Sequence, residues 1–142
     1  MDISKYNPQA ASDTAKRLVV LDPYDSEPLK DEDGTEMAVH VVGMQSSIAR
    51  NIDAKQRREM PQKEDDESDE AYHERVQSFA RAAGAEKVAA MVTKLEGKWE
   101  YDGKQLKAAN KEALAEMLSS QDWLANQIIG YSRTLANYRP KI

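Results

Sequence analysis

The chain changes its hydrophobic period once. Before Gly43 stand a short β-branched run, Leu18 to Leu21, and an alternating stretch, Thr35 to Val42, and beyond Gly43 the apolar residues recur every three or four positions. Alternation puts one face of a strand inward, whereas a three-to-four spacing puts one face of a helix inward. Strands gathered first and helices after them predict an α+β fold, mainly α, with the two kinds of element segregated.

The first part reads as a small antiparallel β-meander over residues 17–42. Arg17-Leu18-Val19-Val20-Leu21 is rich in β-branched residues and stops at Asp22-Pro23, a turn signal. Pro28-Leu29 reads as a short second strand. Asp31-Glu32-Asp33-Gly34 then reverses the chain, because Asp-Gly tolerates positive φ. From Thr35 to Val42, Met37, Val39 and Val41 share one face, and Glu36, Ala38, His40 and Val42 share the other. So small a sheet is marginal in water alone, so it must pack on helices.

About four helices follow. Ser46 or Ser47 caps the first, which runs to about residue 59 with Ile48 and Ile52 inward and is stopped by Pro61. An acidic loop leads to a long helix over 69–96, whose stripe includes Tyr72, Val76, Phe79, Ala83, Val88, Met91, Val92 and Leu95, with Gly97 as its C-cap. Lys98 to Lys104 is a loop carrying Trp99 and Tyr101. Asn110 caps a helix over 110–118. Ser119-x-x-Asp122 matches a capping box for a last helix over 120–138, with Leu124, Ile128, Tyr131, Leu135 and Tyr138 on one face. The polar residues 1–15 predict a flexible N-terminus, leaving one domain over 16–139.

Charge narrows the function classes. Residues 98–142 hold seven basic and five acidic side chains, a balance of +2 in a chain of net charge −5, so the remainder carries −7. Seven acids fall between Glu59 and Glu70, against Lys63 alone. Binding to nucleic acid needs clustered Lys and Arg, and this balance argues against it. Lys98, Lys104, Lys107 and Lys111 lie near Trp99 and Tyr101, but Glu100, Asp102 and Glu112 interrupt them. Leu18 to Leu21 falls far short of the ~20 apolar residues of a membrane span. The start, Met1-Asp2-Ile3-Ser4-Lys5, lacks the pattern of a secretory leader. No cysteine is present, so disulfides, thiolate metal sites and a cysteine nucleophile are excluded.

Catalytic patterns are weak. There is no Gly-x-Ser-x-Gly elbow, and the only histidines are His40 and His73. Glu70, His73 and Glu74 share about one helical turn, but helical metal sites draw ligands from several helices. Asp31, Asp33 and Glu36 fail as a calcium loop, because the sixth position from Asp31 is Glu36 and the twelfth is Val42, where Gly and Glu are needed. The six glycines are isolated, so no phosphate-binding loop is read, and no cofactor is expected. Five of the nine aromatics lie at Trp99, Tyr101, Trp123, Tyr131 and Tyr138, and aromatics are enriched at protein interfaces.

The order of these features resembles the tail assembly chaperones of long-tailed bacteriophages of the siphophage type. The matching stretches are Leu18-Val19-Val20-Leu21-Asp22-Pro23-Tyr24-Asp25-Ser26-Glu27-Pro28-Leu29, Met37 to Gly43 entering a Ser-bearing helix start, and an acidic, Ala-rich helix. Lys98-Trp99-Glu100 to Leu106, Asn110 to Leu118, and Asp122-Trp123-Leu124 with a helix ending Ala136-Asn137-Tyr138 complete them. The resemblance spans roughly residues 17–138, and the sequence departs from it at Ser26, where family members often carry Gly.

The resemblance implies a non-enzymatic protein of the host cytoplasm, absent from the finished virion. It would keep a long helical tape-measure protein soluble and help recruit tail-tube subunits. No catalytic residue carries over. Trp99, Tyr101, Ile128, Tyr131, Leu135 and Tyr138 are the expected partner-binding residues, and self-association is left open. The alternatives are a structural virion subunit of the neck or tail-completion type and a small metal-dependent hydrolase using His40 and His73.

Overall fold

A computed structural model describes residues 1–140. The fold is α+β, and about half of the chain is helical. Helix α1 (Pro8–Ser12) precedes strand β1 (Lys16–Val19), and β2 (Ala38–Val41) leads to α2 (Ser47–Glu59) and α3 (Asp69–Met91). Strand β3 (Val92–Glu96), the hairpin of β4 (Glu100–Tyr101) and β5 (Lys104–Gln105), and helices α4 (Lys111–Ser120) and α5 (Asp122–Arg133) follow. Single 3-10 turns stand at Ile3–Lys5 and Leu135–Tyr138.

The main sheet has the order β1-β2-β3, all antiparallel, so β2 is central. Its third strand corrects the expected helix over 69–96. The helix stops at Met91, and the chain passes into β3 without a loop, Val92 already having φ −81 and ψ 119. Val92 and Thr93 are β-branched and favour extended backbone. The free edge of β2 supplies the partner: Val39 faces Leu95, His40 faces Lys94 and Val41 faces Val92. The extra residue, Thr93, makes an irregularity opposite His40 and Val41. Gly97 is thus the end of a strand rather than a helix cap. Its φ of +91 suits glycine, and a Cβ there would stand 2.7 Å from the Met37 sulfur.

The meander is looser than expected. Pro28 makes only an isolated bridge to Leu21, and Lys30 another to Glu36. Leu29 is nonetheless clamped, its N–H donating to the Val20 carbonyl and its carbonyl accepting from the Met37 N–H, both at 2.8 Å. Both faces of β2 are covered except at His40.

The helix starts at Ser46 and Asn110 hold. The Ser46 hydroxyl accepts from the Ala49 N–H at 3.1 Å, and the Asn110 side chain accepts from the Ala113 N–H at 3.2 Å. The capping box does not form. Ser119 donates its hydroxyl to the Glu116 carbonyl, and α5 begins after Gln121 with no side-chain cap. Ile48 lies on the exposed side of α2, and Ala49 is its buried residue.

Residues 1–15 include a 3-10 turn and the short helix α1. Asn7 caps α1 by accepting from the Ala10 N–H, with Pro8 at the first helical position. The buried Ser12 carbonyl accepts from the Gly43 N–H at 2.9 Å, and a Cβ on Gly43 would meet Ser12 at 2.7 Å. That close approach seats α1 against the sheet.

The core joins the inner face of the sheet to α3, α4 and α5. Val20, Val39, Val41, Val88, Met91, Leu114, Leu118, Leu124 and Ile128 are buried in one cluster. Among the described residues, no helix is long and apolar enough to cross a membrane.

Candidate interaction grooves

The six residues expected to meet a partner do not form one surface. The last helix ends at Arg133 instead of 138, where the chain turns with Thr134 extended. The Thr134 hydroxyl donates to the Gly130 carbonyl at 3.0 Å, and the Thr134 N–H donates to the Tyr131 carbonyl at 3.2 Å. The regular stripe is therefore broken between Tyr131 and Leu135. Ile128 is core at 2% exposure and offers no contact area. Tyr138 is equally buried and donates its hydroxyl to the Val41 carbonyl at 2.9 Å. Burial pushes its phenol above the usual range, and that of Tyr131 in the same direction. The two rings meet edge to face at 5.9 Å. Only Leu135 is well exposed, at 46%.

Trp99 and Tyr101 belong to a different place. The expected loop is a hairpin, with Asp102 at φ 53 and Gly103 at φ 78. Positive φ at both central positions is the two-residue turn that matches strand twist, and Asp-Gly supplies it. Trp99 is buried at 6% exposure, and its indole N–H donates to the Glu96 carbonyl at 2.8 Å. Tyr101 is partly exposed, its hydroxyl 2.7 Å from the Ser120 hydroxyl. Trp99 thus stands largely enclosed at the place where contact area was expected.

These two aromatics line a groove of about 490 Å³ between the hairpin and the α4–α5 junction. Leu29, Met37, Leu106, Met117, Trp123 and Leu124 complete its apolar lining. Trp123 is partly buried and donates its indole N–H to the Gln121 side chain at 2.9 Å. Lys30, Asp31, Glu32, Lys98 and Glu100 edge the groove. Asp31 is a structural anchor here. One carboxylate oxygen accepts from the Asp33 and Thr35 N–H groups, and the other accepts from the Lys98 N–H at 2.9 Å. The Lys98 N–H bond is the main cause that holds this carboxyl below its usual range. Asx-turn chemistry explains the Asp31 to Gly34 segment without calcium.

A second groove of about 720 Å³ lies between the N-terminal turns and the 3-10 turn after α5. Leu135 and Tyr138 line it together with Tyr6, Pro8, Ala11 and Pro140.

The residues considered for chemistry are dispersed. His40 lies on the outward face of the sheet, its Nε2 bonded to the Glu96 carboxylate, which also accepts from Arg17 Nε at 2.9 Å. The His40 bond first, and Arg17 next, hold the Glu96 carboxyl below its usual range. His73 is exposed on α3, 3.0 Å from the Gln77 amide. Among the described residues, no group of three or more His, Asp or Glu side chains is placed to hold a metal ion.

Sequence reasoning missed Met37, Met117 and Trp123 as lining of the first groove and Tyr6, Pro8 and Ala11 as lining of the second. Met37 and Trp123 were legible as apolar positions, but only the third strand and the hairpin bring them together. The chain matches no known family model, no curated protein and no solved structure.

Proposed function

We propose that this chain is a non-enzymatic tail assembly chaperone, which binds apolar stretches of a long helical tape-measure protein and helps recruit tail-tube subunits. The observation that carries the reading is the first groove. It sets the partly exposed side chains of Tyr101 and Trp123 beside a mostly buried apolar lining that includes Met37 and Met117. Aromatic anchors supply contact area at low entropic loss. Such a lining suits successive apolar faces of one extended helix, presented in a helix-in-groove manner. The mixed charge along the edge keeps the unoccupied groove solvated. In this reading the protein acts in the host cytoplasm and leaves before the virion is complete.

The test is co-expression with a tape-measure protein from the same genome. The soluble fraction of that partner rises when this chain is present. Tyr101→Asp, which places a charge at the groove edge, reduces the rise more than Glu64→Lys on the acidic loop. Equal partner solubility with and without this chain refutes the reading.

A further inference from the structure

The second groove has a charge character opposite to that of the whole protein. The chain carries −5 overall, yet the side chains lining this groove include two cations, Lys5 and Arg139, and no carboxylate among the described residues. The first groove, by contrast, is edged by three acids and two lysines. The floor of the second is apolar, from Tyr6, Pro8, Ala11, Leu135, Tyr138 and Pro140. Exposed apolar side chains gather here too: Tyr6 at 59% and Leu135 at 46%, with Ile3 at 69% on the adjoining turn.

Both walls are set before anything binds. The α1 wall is held by the Ser12 and Gly43 backbones, and by Asp13, whose carboxylate accepts from the Ser47 N–H at 2.6 Å. The opposite wall is held by the Tyr138 hydroxyl on Val41 and by Asn137, whose side-chain amide donates to the Tyr131 carbonyl at 2.9 Å. A preformed site loses less entropy on binding.

Two of the polar side chains at the groove already have partners. The Asn7 side chain accepts from the Ala10 N–H, and the Tyr138 hydroxyl serves Val41. Among the described residues, the charged groups left to orient a ligand are the two cations, with the Tyr6 hydroxyl and the Asn7 amide beside them. A small polar metabolite needs several converging polar groups, and this lining does not offer them. Two cations give an anionic lipid surface little purchase. An apolar floor with cations beside it instead complements an amphipathic peptide that carries carboxylates next to its bulky side chains.

We infer that the groove between the N-terminal turns and the Leu135–Tyr138 turn is a docking site for an acidic amphipathic segment of a protein partner. This site is separate from the aromatic groove, and the inference does not rest on the chaperone reading. Loss of the solubilising effect with peptide binding intact would remove that reading alone.

The probe is a short synthetic peptide of leucine, alanine and glutamate with leucines at helical spacing, against a twin in which lysine replaces glutamate. Each is titrated into the full chain by calorimetry, and the contact is mapped by amide chemical shifts. The glutamate peptide binds, the lysine twin does not, and the shifts fall on residues 5–11 and 135–139. Arg139→Glu and, separately, Lys5→Glu each weaken binding about fivefold, the scale of one exposed ion pair. Both side chains are exposed, so the variants keep the parent circular dichroism spectrum. Equal binding of the two peptides, shifts confined to the aromatic groove, or no effect of either reversal overturns the inference. Phosphatidylserine vesicles form the other arm. Vesicle binding that is lost in Arg139→Glu, with both peptides inert, assigns the surface to lipid and overturns the peptide proposal.

Discussion

The two halves of α3 are held in different ways. Its C-terminal part puts Ala85, Val88, Ala89 and Met91 into the core, whereas no side chain from Asp69 to Gly84 is buried. Tyr72, Val76, Phe79 and Ala83 are only partly covered. What fixes this outer half is a polar clasp. Arg75 donates to both oxygens of Glu67, at 2.6 and 2.8 Å, and to the Gln62 carbonyl at 2.8 Å, while the Tyr72 hydroxyl donates to the Pro61 carbonyl at 3.1 Å. Helix α2 is tied by charge to the inner half, through Lys55 to Glu86 and Lys87 to Asp53. One continuous helix thus passes from a region stabilised by packing to one stabilised by directional contacts. Regular secondary structure does not imply uniform stability.

The sharpest division is in truncation energetics. Met91→Ala removes a side chain at 1% exposure and destabilises the fold by about 2–5 kcal/mol in urea unfolding, and Leu118→Ala does the same from the facing helix. Phe79→Ala, on the outer half, has a clearly smaller effect. Equal losses at Met91 and Phe79 break the comparison.

A smaller effect is expected where the outer parts meet the sheet. Gly43→Ala forces a Cβ to within 2.7 Å of Ser12 and destabilises by about 1–3 kcal/mol. Amide exchange speeds up first in residues 8–12, because α1 must move away. Unchanged exchange there shows that the seat of α1 is not the Gly43 contact.

Smaller again is the effect of Arg75→Ala. It opens the clasp, so amides of residues 62–72 exchange faster, while the global unfolding midpoint stays within error. A large shift in midpoint places the clasp in the cooperative core. Acid probes the same contact. The Arg75 bond holds the Glu67 carboxyl below its usual range. A depressed carboxyl adds stability above its unfolded pKa and gives it up as pH falls through the folded one. Protection of the amides in residues 62–72, measured against their intrinsic exchange rates, therefore falls toward acid pH before that of the core amides. Simultaneous loss in both regions contradicts the division.

The sequence made some of this legible and hid the rest for identifiable reasons. Ser46, Asn110 and Asp102-Gly103 act locally, through one hydrogen bond or a pair of positive φ angles, and each can be read from a few neighbours. β3 could not be read that way. Val88 to Leu95 keeps an apolar rhythm that a helix satisfies, and only the unpaired edge of β2 selects the strand. The same limit applies to Tyr138, whose spacing from Tyr131 suits a helix although it reaches the interior through a 3-10 turn. Trp99 and Tyr101 were visible as a pair, but their unequal burial depends on Met117 and Trp123 from elsewhere in the chain.

The direct passage from α3 into β3 has a mechanical consequence. A helix of 23 residues is a rod roughly 34 Å long, and here it is welded to the sheet with no intervening hinge. A pull on its outer tip is delivered as torque to Val92 and Thr93. The edge strand cannot relieve that torque by sliding one residue, because a slip would turn Leu95 outward and Lys94 inward. Load applied to the acidic tip therefore travels as a rigid unit to the central strand, and gives way first in the clasp rather than at the weld.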